Sequence, residues 1–174
     1  EEAYDPAVQT MRSALNLASV QGNESDRMVM IGRGLGLVQE WQLAREAFQR
    51  AVRADAGNAE AWAWLGEAKQ HLGQDGGEEL RRAEALDPFS ANVRALSGLY
   101  WKRRNDPQKA LAQFQWAAAI QPQNPAFQAA LGDAYTFAGD LPPALAAYQR
   151  AAELAPAEAS YWRLLAIFCA QYTF

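Results

Sequence analysis

Few residues in this chain have the types and spacing that could carry chemistry. Gly32-x-Gly34-x-Gly36 has the spacing of a loop that wraps a phosphate in backbone amides, but such a loop must follow a strand and open a helix. Here Met30, Ile31, Leu35 and Leu37 flank the glycines inside a helical pattern, so their expected role is close helix packing. The single histidine, His71, has no second His or Cys with which to hold a metal. The single cysteine, Cys169, cannot form an internal disulfide, and it sits in an apolar stretch that favours an inert thiol. Glu78-Glu79 falls at a helix start, where acids complement the macrodipole. No nucleophile, base and orienting group can be assembled. The sequence is therefore expected to have no enzymatic activity, no cofactor and no metal.

The elements that would position a site are easier to read. Half of the 174 residues are apolar, enough for one domain with a real core. Alanine is abundant and strand formers are sparse, which favours helices because alanine loses no side-chain entropy on entering one. The net charge of −4 is mild and the basic residues are scattered, so no cationic stripe exists to displace counterions from nucleic acid. No apolar run reaches the roughly 18 residues of a membrane span, and the longest, Leu164 to Ala170, falls far short. The chain opens at Glu1-Glu2 without an initiator Met and reads as an excised fragment or a processed product.

Three sets of landmarks repeat along the chain. Gly32, Gly66, Gly98 and Gly132 lie 34, 32 and 34 residues apart; Ala51, Ala83, Ala117 and Ala151 lie 32, 34 and 34 apart. The third set is Asp-Ala56, Asp-Pro88, Gln-Pro122 and Ala-Pro156. Each period holds a helical segment around Leu65-Gly66 or Leu131-Gly132, a break such as Leu72-Gly73-Gln74-Asp75, and a second helical segment with Ala44-x3-Phe48, Ala110-x3-Phe114 or Ala144-x3-Tyr148. Gly or Asn ends the first helix because those residues enter the left-handed region cheaply. Asp106-Pro107 suits a helix start, and the closing prolines stop the second helix.

These residues resemble the tetratricopeptide repeat, whose pattern is W-x2-L-G-x2-Y, then A-x3-F, then P. Trp62-x2-Leu65-Gly66 and Leu131-Gly132-x2-Tyr135 match it letter for letter. The resemblance implies an all-α, right-handed superhelical solenoid of antiparallel helix pairs, a single solenoid over 1–174 and of bacterial type. Full repeats are placed at 25–58, 59–90 (shortened), 91–124 and 125–158. Residues 4–24 read as a partial repeat supplying only a second helix, with Ala7, Met11 and Ala14 at the places of Ala44, Phe48 and Ala51. Residues 159–174 read as a terminal helix. Repeat two lacks two residues and carries Gly76-Gly77 at its second helix, predicting a short helix over about 78–86 and a local change of pitch. One helix pair cannot bury its apolar stripe alone, and stacked neighbours can. The plain reading of the aromatics is therefore core packing.

The resemblance also implies a concave groove lined by the first helices, in which a peptide or partner protein lies. Its groove positions carry over to Arg33 and Leu37; to Glu67, Gln70 and His71; to Leu99, Lys102 and Arg103; to Asp133 and Phe137; and to Arg163 in the terminal helix. Some relatives grip the carboxylates of chaperone tails with an Asn and Lys clamp. The ninth positions here are Arg33, Glu67, Leu99 and Asp133, with no Asn and two acids that would repel a carboxylate, so that subtype is rejected. Trp116 stands where other repeats have Arg50, Arg82 and Arg150, an outward position, and is a candidate exposed contact. The stretch Tyr161 to Cys169 is apolar nearly all round although an end repeat needs a polar face. That implies further repeats in a longer parent chain, or self-association through this helix. The leading expectation is a non-catalytic protein-interaction scaffold. The alternatives are a docking region of a larger enzyme and a homotypic assembly module.

Overall fold

The computed structural model describes residues 23–172, and every regular element among them is an α-helix. The expected partial repeat at 4–24 lies almost wholly outside the described residues. Two compact units divide the chain, Glu1–Pro88 and Phe89–Phe174.

The first unit contains α1 (Glu24–Leu37), α2 (Trp41–Ala54), α3 (Ala59–His71) and α4 (Gly77–Leu86). The Asn23 side chain caps α1 by accepting from the Ser25 amide, and the Asn58 side chain caps α3 by accepting from the Ala61 amide at 3.0 Å. The Asn58 side-chain Nδ2 also donates to Ser25 Oγ at 2.9 Å and Asp26 Oδ1 at 3.0 Å, tying the starts of successive first helices together. Met28, Leu35, Phe48 and Leu65 form the core with the alanines of α2 and α3, and Trp41, Trp62 and Trp64 close over it.

The second unit contains α5 (Ala91–Arg103), α6 (Pro107–Ile120), α7 (Pro125–Ala138), α8 (Leu141–Leu154) and α9 (Ala159–Tyr172). Asp106 caps α6 as its sequence suggests, accepting from the Lys109 amide at 3.1 Å. That bond, followed by the Lys109 side chain, holds the Asp106 carboxyl below its ordinary range. Pro107 and Pro125 open their helices, where the missing amide hydrogen costs nothing.

Among the described residues, every first helix that is followed by a second ends on one left-handed residue: Gln39 (φ 62°), Gly73 (φ 73°), Asn105 (φ 57°) and Gly139 (φ 82°). Three of these are the cheap residues for that conformation, and Gln39 is not. Gln39→Gly is expected to stabilise the first unit by about 0.5–1 kcal/mol, read as a higher denaturation midpoint.

The repeated glycines sit under aromatic rings. A Cβ on Gly32 would lie 2.5 Å from the Phe48 ring, one on Gly98 would lie 2.7 Å from Phe114, and one on Gly132 would lie 2.9 Å from Tyr148. Gly32 and Gly36 are thus helix-packing residues; Gly36 abuts Trp41, where an added Cβ would come within 3.0 Å. Repeat two replaces the ring with Leu80 and lets the backbones touch instead. A Cβ on Gly76 would lie 2.1 Å from the Gly66 carbonyl oxygen. The short helix expected near 78–86 is Gly77–Leu86, and its glycine start serves this close approach as well as weakening the helix.

Candidate functional site

In the second unit the first helices α5, α7 and α9 border a hollow of about 340 Å³. Lys102 lines it from α5; Asp133, Thr136 and Phe137 line it from α7. Leu164, Ile167, Phe168, Gln171 and Tyr172 line it from α9, and Tyr148 reaches in from α8. Of the residues that the repeat register predicted, the fold brings Lys102, Asp133 and Phe137 to one cavity.

The hollow has a polar side and an apolar side. Tyr148 Oη donates to Asp133 Oδ1 at 2.5 Å, and Thr136 Oγ1 donates to the Gly132 carbonyl at 2.9 Å. Burial, and then the bond to the Asp133 carboxylate, hold the Tyr148 phenol well above its ordinary range, so it stays a neutral donor. The apolar side is Phe137 with Leu164 and Ile167, and Ile167 is 56% exposed. Exposed Lys102 supplies a cation whose charge is opposite to that of Asp133. Leu99 is partly buried, and Arg103 and Arg163 are exposed; none of the three lines the hollow.

Sequence reasoning missed much of the α9 wall. The register that gives Asp133 and Phe137 also gives Ile167 and Gln171, each 34 residues later, and only Arg163 had been carried over from that helix. Tyr148 was read as core alone. It is core, yet its hydroxyl reaches the hollow and fixes Asp133.

In the first unit the predicted residues are largely engaged with their neighbours. Arg33 bonds Glu60 at 3.3 Å and lies over the Trp64 ring at 5.3 Å. Glu67, expected on an open groove face, is only 4% exposed and contacts His71 Nε2 at 3.0 Å. The His71 ring stacks flat on Trp41, with centroids 3.6 Å apart and planes within 3°. Gln70 is partly buried and Leu37 is 87% exposed. Among the described residues no group of His, Cys, Asp and Glu could hold a metal ion. None of their helices is long and apolar enough to cross a membrane.

Trp116 is 52% exposed, as its outward position suggests, and has a partner within its own repeat. The Arg94 guanidinium lies over its ring at 5.6 Å. Repeat two has the same pair with the residues exchanged, Arg82 over the Trp62 ring at 4.2 Å. The two positions hold one cation–π contact written in either order, a packing role for Trp116 that leaves its outer edge open.

The tetratricopeptide-repeat family profile matches residues 103–167. No curated protein matches the sequence. Among solved structures, TTC0263, a thermophilic TPR protein of Thermus thermophilus, is 23% identical with a TM-score of 0.77, covering 94% of this chain and 93% of that one. PilF of Pseudomonas aeruginosa is 19% identical with a TM-score of 0.73, over 90% of this chain and 70% of its own. YrrB, a TPR protein with an unusual peptide-binding site, is 19% identical with a TM-score of 0.62, over 90% and 84%. At these identities the likeness is one of fold.

Proposed function

We propose that this chain, which has the fold of solved TPR proteins and matches the tetratricopeptide-repeat profile over residues 103–167, is a non-catalytic scaffold binding an extended peptide segment of a partner protein along the first helices of its second unit. One observation carries this reading: the hollow of about 340 Å³ that sets an apolar wall of Phe137, Leu164 and Ile167 beside the Lys102 ammonium and the Asp133–Tyr148 pair. That volume is at the lower end of small-molecule pockets and suits one bulky side chain. A bulky apolar residue of the peptide fills it, and an acidic group nearby meets Lys102. Leu99, Arg103 and Arg163 are proposed as flanking contacts. The first unit's Arg33, Leu37, Glu67, Gln70 and His71 are proposed as a weaker patch, since Arg33 and Glu67 already have partners. The peptide-binding site named for YrrB gives this reading a precedent on the same fold.

The test is selection of short random peptides on the full chain, followed by fluorescence anisotropy with the tightest. Phe137→Ala is expected to weaken binding roughly tenfold, as truncating a central anchor does. Lys102→Glu is expected to weaken it further, and the Lys102 contribution should fade at high salt. Peptides bound equally by both variants would remove the hollow from the account.

A further inference from the structure

Asp133 and Phe137 are four residues apart on α7, so a carboxylate and a ring are neighbours on the wall of the hollow. Of the four complete repeats, only the last sets a hydroxyl across from an acid at this position. Phe48 and Phe114 cover their glycines as Tyr148 does, so the packing itself requires no hydroxyl. A buried hydroxyl needs a partner, and that of Tyr148 has Asp133 Oδ1. Asp133 is exposed and Phe137 half-buried. Among the described residues Asp133 makes no ion pair, with Lys102 or any other cation, and no cation or second ring lies on Phe137.

The first unit shows what such a pair can hold. Glu60 and Trp64 are also four residues apart, on α3, and the Trp64 indole N–H donates to Glu60 Oε1 at 3.2 Å. The same oxygen accepts from Arg33 Nη1 at 3.3 Å, and the guanidinium lies over the Trp64 ring at 5.3 Å. A carboxylate fixed by an aromatic donor, with a ring one turn further on, therefore binds an arginine within this chain. The contact is not a repeat of the same packing position, since the counterpart of Glu60 in the last complete repeat is Ala126.

We propose that Asp133 and Phe137 hold an arginine of the partner peptide, its guanidinium paired with the carboxylate and stacked on the ring. The assignment rests on peptide binding in the hollow, where the peptide's apolar residue packs on Leu164 and Ile167 and its acidic group meets Lys102. Arginine is selected over lysine because a planar guanidinium meets a carboxylate and an aromatic face together, whereas an ammonium is a strongly hydrated point charge. Tyr148 is a positioning residue that holds Asp133 in place.

The experiment runs random-peptide selections in parallel on the full 174-residue chain and on its Asp133→Asn variant. Peptides from the unaltered chain are expected to carry an arginine beside a bulky apolar residue. Those from Asp133→Asn are expected to keep the apolar residue and lose the arginine. In the tightest peptide, arginine to alanine is expected to weaken binding about 5- to 30-fold by fluorescence anisotropy, and arginine to lysine to recover only part of the loss. Asp133→Asn is expected to weaken the arginine peptide by a similar factor and to spare the alanine peptide. Tyr148→Phe, which keeps the ring that Phe48 and Phe114 use, is expected to show the same selectivity with a smaller factor. Peptides lost in Phe137→Ala that carry no arginine, or an arginine peptide indifferent to Asp133→Asn, overturn the arginine assignment and leave the hollow standing. Peptides indifferent to Phe137→Ala overturn the hollow and the assignment with it.

Discussion

Phe48→Ala is expected to lower the stability of the first unit by about 3–5 kcal/mol, measured by urea denaturation. Phe48 is fully buried, lies against the Gly32 backbone and stacks near Trp64 with ring centroids 6.0 Å apart. Its neighbours on α2 are Ala44, Ala47 and Ala51, all fully buried and too short to move into the space. A cavity that cannot collapse puts the cost high in the usual range. Amide exchange is expected to accelerate most in α1, α2 and α3, the helices that share this core. A loss below about 1 kcal/mol would mean that the ring is not what holds α1 and α2 together.

Gly76→Ala is expected to cost about 3 kcal/mol, the upper end for overpacking. Gly76 has an ordinary φ of −103°, so the requirement is steric and not conformational. The added methyl would meet the Gly66 carbonyl at 2.1 Å, and backbone cannot swing aside as a side chain can. Gly66→Ala meets the Gly76 carbonyl at 2.8 Å from the other direction, so the two changes are expected to be strongly non-additive. Denaturation midpoints of the two single variants and the double variant check this. A neutral or stabilising Gly76→Ala would show that α3 and α4 do not make that approach.

The helix pairs were legible because their packing is written in side chains. A glycine, an aromatic on the following helix and a closing proline recur on one period, and each has a local physical cause. The Gly66–Gly76 contact was legible only as an oddity. Two backbones touching leave no side-chain signal, and the same glycines read equally well as poor helix formers. The site divides in the same way. Lys102, Asp133 and Phe137 follow from the groove positions of the repeat, which lie three or four residues apart on one helix face, whereas Leu99 and Arg103, the counterparts of Asp133 and Phe137, do not line the hollow. Glu67 shares the register of Asp133 and is buried, because His71 one helical turn later bonds it and is itself stacked on Trp41. That arrangement depends on a tryptophan in another helix, which register alone does not see. Trp116, which the sequence offers as a candidate exposed contact, also packs against the Arg94 guanidinium of its own repeat. The exchange with Trp62 and Arg82 was present in the sequence, as the same two positions holding the same two residue types in opposite order.

The central claim, that the partner peptide lies along α5, α7 and α9, is tested most directly by titrating a selected peptide into the isotopically labelled chain and following amide shifts. The predicted result is a saturable set of shifts centred on Lys102, Asp133, Phe137 and Ile167, lost in Phe137→Ala. Shifts confined to the second helices α6 and α8, with those four residues unmoved at saturation, would contradict it.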